Sequence, residues 1–378
     1  MNRERPQKDL ITKDAKTGLP FPASPSPRKM VFGSLTAMRG VAALLVAFFH
    51  LRYGVIGVPL FDLYIFQFRF GNRGYLWVDF FFILSGFILA YRYGDACSKL
   101  NLRGYGHFVW QRVARIWPLN VVTVLIAIVY LGSKYGASYL RRDAIVANLL
   151  LVHGWGHYFA PPLDFPSWSL SCEWGAYLVL PLYLWAVWPV KRGTAHLLFI
   201  AGYLGLLLWY SAHFGNGTLD RLREKWGLGR CLIEVAIGVS LFQLNALYRS
   251  RKMEPIYDAV AAVIFCAIFV VFTYSTYDFY FVPLAAGLIL CLSLARGPFT
   301  RVLEWRPMVL LGEISFSIYM LHGFVLWLCQ DIPASFKARL PFWTGALWLL
   351  AAHLLVIGLS YLSFKFIERP AHRALTGR

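Results

Sequence analysis

Charge is scarce in this chain, and acidic charge scarcer still: 19 Asp and Glu stand against 37 Lys and Arg among 378 residues. Soluble domains carry roughly 25% charged residues, so 15% charged and 58% hydrophobic residues exclude a soluble domain of ordinary balance. The net charge of +18 could suit a nucleic-acid binder, yet the basic residues fall between apolar runs and form no single stripe, so no nucleic-acid partner is expected. Six cysteines (Cys97, Cys172, Cys231, Cys266, Cys291 and Cys329) are scattered singly without a C-x-x-C pair, which indicates neither a disulfide framework nor a zinc site. There is no Walker-type glycine loop and no H-E-x-x-H. His153 and His157 have i,i+4 spacing, but Gly154, Trp155 and Gly156 between them supply neither a helix nor a carboxylate, and no metal is expected. Residues 1–30 lack any apolar stretch that a signal peptidase could use and read as a disordered, basic cytoplasmic tail.

What the chain has instead is long apolar runs. Segments of spanning length, about 17 to 25 residues, recur at 38–56, 74–91, 117–133, 168–189, 195–213, 227–247, 258–276, 279–295, 308–329 and 342–364. The expected fold class is all-α: a polytopic, integral membrane helical bundle of about ten transmembrane helices over residues 31–371, with a short cytoplasmic tail at 372–378. Residues 144–160 are also apolar, but Gly154 and Gly156 interrupt them and Pro161 and Pro162 follow, so they are expected as an interfacial or re-entrant element on the outer side. With that count, 25 of the 37 basic residues fall on the side of the N-terminus and 12 opposite, and the positive-inside rule places both termini in the cytoplasm. The segment DRLREKWGLGR, Asp220 to Arg230, resists this bias; either it lines a site for something anionic or the boundary lies elsewhere.

The stretch LTAMRGVAALLVAFFHL, Leu35 to Leu51, organises the rest. Arg39 is followed by ten uncharged residues and then His50. At about 1.5 Å per residue the two lie roughly 16 Å apart along a helix, about half a bilayer core. Other ionisable groups sit in apolar surroundings: Asp79, Glu173, Glu234, Glu313 and His322. Facing lipid, each would cost at least a few kcal/mol, so the expectation is one shared polar cavity. Arg230 and Glu234, at i and i+4, could neutralise each other, and Asp79 could lie at the interface. Glu173 follows Ser167, Trp168, Ser169, Leu170 and Ser171 at the mouth of a helix, where it either caps or serves a site.

Taken together, these motifs resemble the family-3 membrane acyltransferases, associated with O-acetylation of bacterial surface and exported glycans. The matching pieces are the Arg39–His50 helix; VDFFFILSGF at Val78–Phe87; the R-x-x-R of Arg112 and Arg115; PSWSLSCEW at Pro166–Trp174; RCLIEVAIG at Arg230–Gly238; LGEISFSIYMLH at Leu311–His322; and FIERP at Phe366–Pro370. They run in the family's order over about residues 34–371. Two departures stand out. Trp174 occupies the place where the family commonly has a second acidic or amide residue, and some relatives carry an extracytoplasmic hydrolase-like domain after the last helix, whereas this sequence ends at Arg378. The membrane domain is therefore expected to complete the transfer alone or to hand the acyl group directly to the acceptor.

Moving an acetyl group from a thioester to a sugar hydroxyl requires a base, positive groups for the donor's phosphates, and exclusion of water. His50 is the best base by type, since an unperturbed imidazole titrates near neutrality. Arg39 either fixes its helix or approaches the donor, and Glu173 orients the acceptor. The resemblance implies acetyl-coenzyme A as a cytoplasmic co-substrate, with no permanently bound cofactor. Arg112 and Arg115, one helical turn apart, could pair with its phosphates or simply anchor the helix. Ser169, Trp168, Tyr319 and His322 are expected to contact the acceptor, a glycan that could be lipid-linked, at the bacterial inner membrane amid membrane lipid. A transporter or flippase would use a polar cavity equally well, but no inverted repeat is detected: the Arg39–His50 spacing has no counterpart in the second half.

Overall fold

The computed structural model describes residues 32–97, 102–156, 162–223, 225–249 and 251–377; the basic tail expected over 1–30 and His157 lie outside them. Among the described residues there are helices and turns and no strand, because lipid leaves a backbone only itself to hydrogen-bond to. In chain order the helices are α1 (Gly33–Leu51), α2 (Phe61–Gln67), α3 (Trp77–Cys97), α4 (Leu102–Tyr135), α5 (Arg142–Leu149), α6 (Ser167–Val187), α7 (Gly193–Phe214) and α8 (Gly227–Tyr248). They continue as α9 (Glu254–Tyr274), α10 (Phe281–Leu294), α11 (Pro298–Leu303), α12 (Arg306–Glu313), α13 (Ser315–Gln330), α14 (Ala334–Lys337), α15 (Thr344–Ser363) and α16 (Arg369–Thr376).

Among the described residues, eight helices are long and apolar enough to cross a membrane, and the bent pair α12–α13 makes a ninth if it counts as one span. All ten expected segments fall on helices, but two are not straight full-length crossings. The segment 279–295 is a short apolar helix, and 308–329 is broken by a 67° bend. Among its described residues, the apolar stretch after residue 144 contributes helix only to the eight-residue α5, about 12 Å long and too short to cross. Asn148 ties it into the bundle: its carbonyl accepts from Asn120 Nδ2 (3.1 Å) and its Oδ1 from the Leu163 amide (3.0 Å).

Burial sorts the bundle into an inner and an outer set. The most apolar window of α3, like that of α8, is 72% buried, whereas that of α7 is 11% buried. The outer helices turn Leu198, Trp209, Leu350 and Leu354 outward, as expected of surfaces facing acyl chains. The inner helices approach one another through glycine. A Cβ on Gly86 would lie 2.1 Å from the Val235 carbonyl oxygen, and one on Gly238 1.9 Å from that of Ile83, so α3 and α8 can cross only with small residues there. α1 crosses α12 in the same way at Gly40 and Gly312.

That second crossing explains the bend. The helix stops at Glu313, and the Gly312 carbonyl accepts hydrogen bonds from Ser315 Oγ (2.8 Å) and Arg39 Nη2 (2.9 Å). A broken helix survives in hydrocarbon only when its freed backbone groups find partners. Glu313, expected among the costly intramembrane groups, is exposed at this break and lines neither cavity of the site.

Candidate functional site

Helix α1 carries the two residues around which the interior is arranged. At one end Arg39 grips the break between α12 and α13, its Nε donating to Ser315 Oγ (3.2 Å) in addition to the Gly312 contact. At the other end His50 meets His322 of α13, with His50 Nδ1 3.1 Å from His322 Nε2 and the rings stacked at 5.0 Å. Phe165, in the connection entering α6, packs edge-on against both rings. The tautomers follow from the backbone. His50 Nδ1 faces the Val46 carbonyl at 3.1 Å and His322 Nδ1 faces that of Ile318 at 3.3 Å. A carbonyl only accepts, so each neutral ring is assigned its proton on Nδ1. His50 Nδ1–H is then divided between Val46 and the acceptor nitrogen of His322, leaving His50 Nε2 as a free proton acceptor.

Two cavities adjoin. The larger, about 170 Å³, is lined by Arg39, Arg112, Arg115, Glu173, Tyr177 and Ser85, with Ser169 and Tyr319 at one end. The smaller, about 70 Å³, holds His50, Trp168, Phe165 and Tyr75, with Asp220 and Arg223 beside them. Val78 and Tyr319 belong to both walls. Tyr319 is latched there, its hydroxyl 2.6 Å from Ser169 Oγ. The nine residues singled out as site candidates gather around two chambers that share a wall; of the ionisable groups expected in one shared cavity, Glu173 lines a chamber, whereas Asp79, Glu234 and Glu313 line neither. Eight line one chamber or the other, and His322 stands directly behind His50.

The two arginines of R-x-x-R are held differently. Arg112 Nη2 donates to Tyr93 Oη (2.9 Å), its guanidinium lies over the Tyr93 and Tyr177 rings, and its buried Nε has no hydrogen-bond partner among the described residues. Arg115 Nη1 pairs with Glu368 Oε2 at 2.8 Å. Glu173 accepts from Ser85 Oγ at 2.5 Å and projects into the larger cavity between α3 and α6.

For other polar groups spacing gave only part of the partnership. Arg230 is bound first to Asp79, with Nε 2.8 Å and Nη2 2.6 Å from Asp79 Oδ1, and only then to Glu234 at 3.5 Å. All three are fully buried, so the i,i+4 pair expected from spacing forms but shares Arg230 with Asp79. The tight α3–α8 crossing brings Asp79 closer than helical spacing alone could reveal. Arg230 Nη1 also donates to the carbonyls of Leu219 (2.8 Å) and Leu222 (3.3 Å), tying down the segment that resisted the charge bias; of that segment Asp220, Arg223 and Arg230 line the smaller cavity. Glu368 was missed as a site residue. Its signal was a carboxylate in the last apolar helix directly before Arg369 and Pro370. His153, considered with His157 as a metal pair, instead meets Ser167 Oγ at 3.1 Å.

Helices of this length and apolarity, closed around arginines, a carboxylate and a histidine pair, define an integral membrane protein with a polar interior site. A family model described as an acyltransferase domain matches residues 32–365, and the chain belongs to that family of membrane acyltransferases. It is 35% identical over 181 residues to Acyltransferase MdmB of Streptomyces mycarofaciens, covering 44% of this chain and 43% of that one. It is 23% identical to Peptidoglycan O-acetyltransferase OatA of Listeria monocytogenes over 90% of this chain and 56% of the relative. With O-acetyltransferase OatA of Staphylococcus aureus the identity is 23%, over 85% and 56%. The chain spans about half the length of most of the curated relatives it matches. No solved structure matches it.

Proposed function

We propose that this membrane acyltransferase moves an acetyl group from acetyl-coenzyme A to a hydroxyl of a glycan. The observation that carries the reading is the shared wall at Tyr319, latched to Ser169, with Arg39, Arg112 and Arg115 on one side and, on the other, a histidine whose Nε2 is left as the acceptor, beside Arg223 and Arg230. Two of the arginines sit on α4 and one on α1, where guanidinium groups suit the phosphates of a nucleotide thioester. The acceptor enters the smaller chamber, and its hydroxyl proton passes to His50 Nε2 as the oxygen attacks the thioester carbonyl. The C–S bond breaks, and the departing thiolate takes up the proton that His50 received, so the step is neutral overall and His50 is returned to its neutral form. His322 holds the His50 ring in the accepting tautomer, and Glu173, facing the larger chamber, orients a hydroxyl or the pantetheine amides. The name of one relative, a peptidoglycan O-acetyltransferase, supports a glycan acceptor by analogy. The bias of basic residues supports both termini in the cytoplasm of the bacterial inner membrane, with the Arg112–Arg115 end toward the donor. Family membership weighs against the transporter reading. The test is turnover of acetyl-coenzyme A by purified protein with and without an oligosaccharide acceptor: acceptor-dependent release of free thiol is expected, and transport of the glycan without thiol release would overturn the reading.

A further inference from the structure

Helix α15 does not end where its α-helical pattern does. Between Ser363 and Arg369 it passes through a π-helical turn, Phe364–Glu368, before resuming as α16 with Pro370 in its first turn. The cause is local. Proline has no N–H for the carbonyl four residues back, and its ring crowds that carbonyl, so the helix widens by one residue. The extra residue swings Glu368 inward, where it is buried to 3% exposure. One carboxylate oxygen takes Arg115 Nη1 at 2.8 Å, and the other takes the hydroxyl of Ser317, whose Oγ lies 3.0 Å from Ser363 Oγ. Both oxygens are thus committed, and the carboxylate is fixed from α4 and α13 at once. Arg115 is only part-buried, its guanidinium over the Phe316 ring, and it lines the larger cavity.

We propose that Glu368 is a positioning residue for the donor: it orients the Arg115 fork so that the remaining N–H groups face the cavity and meet a phosphate of the nucleotide thioester. This rests on the reading of that cavity as the donor site. The carboxylate engages one nitrogen of a guanidinium that has five N–H donors, which leaves donors for an anion while removing the freedom of a long side chain. It also offsets part of the repulsion among Arg39, Arg112 and Arg115, so the three can share one chamber before the anion arrives. Arg112 needs no such carboxylate, because Tyr93 and Tyr177 already hold it.

The experiment measures steady-state kinetics against acetyl-coenzyme A, with direct donor binding, on the full chain in detergent. Glu368→Gln keeps the shape and the Ser317 contact and removes the charge. It should raise the donor KM about tenfold with kcat within about twofold, the signature of lost uniform binding. Should that variant not fold, Ser317→Ala, which frees the other carboxylate oxygen, should raise the donor KM in the same direction by a smaller factor. The exchange of charges, Arg115→Glu with Glu368→Arg, separates positioning from mere bracing. It should regain thermal stability and leave the donor KM high; recovery of both would overturn the proposal. Arg112→Ala is the arm that isolates the premise. If it raises the donor KM and Glu368→Gln does not, the donor site stands and the role of Glu368 falls. If neither Arg112→Ala nor Arg115→Ala changes donor binding, the donor-site reading falls and the proposal with it.

Discussion

His50 Nδ1 and His322 Nε2 stand 3.1 Å apart, one on α1 and the other on α13, 272 positions apart in the chain. Two imidazoles at this distance cannot both carry a second proton without strong mutual repulsion, so the pair works as one acceptor with a single outward-facing nitrogen. The Val46 and Ile318 carbonyls decide which nitrogen that is.

Replacing His50 with Gln retains size and hydrogen bonding but removes the ability to take a proton. Transfer should fall by at least about a hundredfold, the scale of a lost general base. His322→Gln should cost about tenfold or less and alter the pH–rate profile, because its part is to hold a tautomer. Radiolabelled acetyl transfer by both variants checks this; near-normal transfer by His50→Gln would exclude it as the base.

Arg39 reaches the broken helix with two nitrogens, and a lysine has only one. Arg39→Lys should therefore lose a charge-assisted contact worth about 1.5 to 3 kcal/mol, seen as a lower melting temperature in detergent. Transfer should fall with it, since the same break sets where α13 presents Tyr319 and His322. A variant of unchanged stability would show that the Gly312 carbonyl does not need Arg39.

Within the buried triad the distances set an order. Arg230→Ala leaves two carboxyl groups without their cation and should destabilise by about 3 to 5 kcal/mol. Asp79→Asn should cost more than Glu234→Gln, because Asp79 takes both short contacts and Glu234 lies at 3.5 Å. Thermal unfolding of the three variants tests the ranking, and equal losses from Asp79 and Glu234 would contradict it.

Asp164, in the connection before α6, is fully buried with no hydrogen-bond partner among the described residues for either carboxylate oxygen, and burial pushes its carboxyl well above the usual carboxylate range. The folded state thus holds this proton more tightly than the unfolded chain does. Its contribution to stability is present below the unfolded value, about 4, and declines as pH rises from there toward the folded value. Asp164→Asn removes that decline. The variant's melting temperature should exceed that of the unsubstituted protein by more at pH 8 than at pH 5; a gap independent of pH would show that the group does not titrate differently on folding.

Much of this molecule was legible in one dimension. Lipid rewards runs of apolar residues long enough to cross it, so the helices could be read from length and composition, and ordered motifs carried the family. The site residues showed themselves for a related reason: an ionisable side chain in an apolar run is costly enough that its presence demands an account. Which partner each one takes was not legible, because spacing along a helix speaks only of neighbours one turn away. It offered Glu234 to Arg230, whereas the glycine crossing of α3 and α8 delivers Asp79 at a shorter distance. It also placed Glu313 inside, although the helix breaks at that residue once Arg39 and Ser315 can satisfy the Gly312 carbonyl. The sequence by itself thus determined the helices, their apolar surfaces and the set of polar residues that must be kept from lipid. Only the tertiary structure decided that His50 faces His322, that Tyr319 divides two chambers, and that Glu368 reaches Arg115, because each of these depends on helices far apart in the chain meeting at a particular depth and rotation.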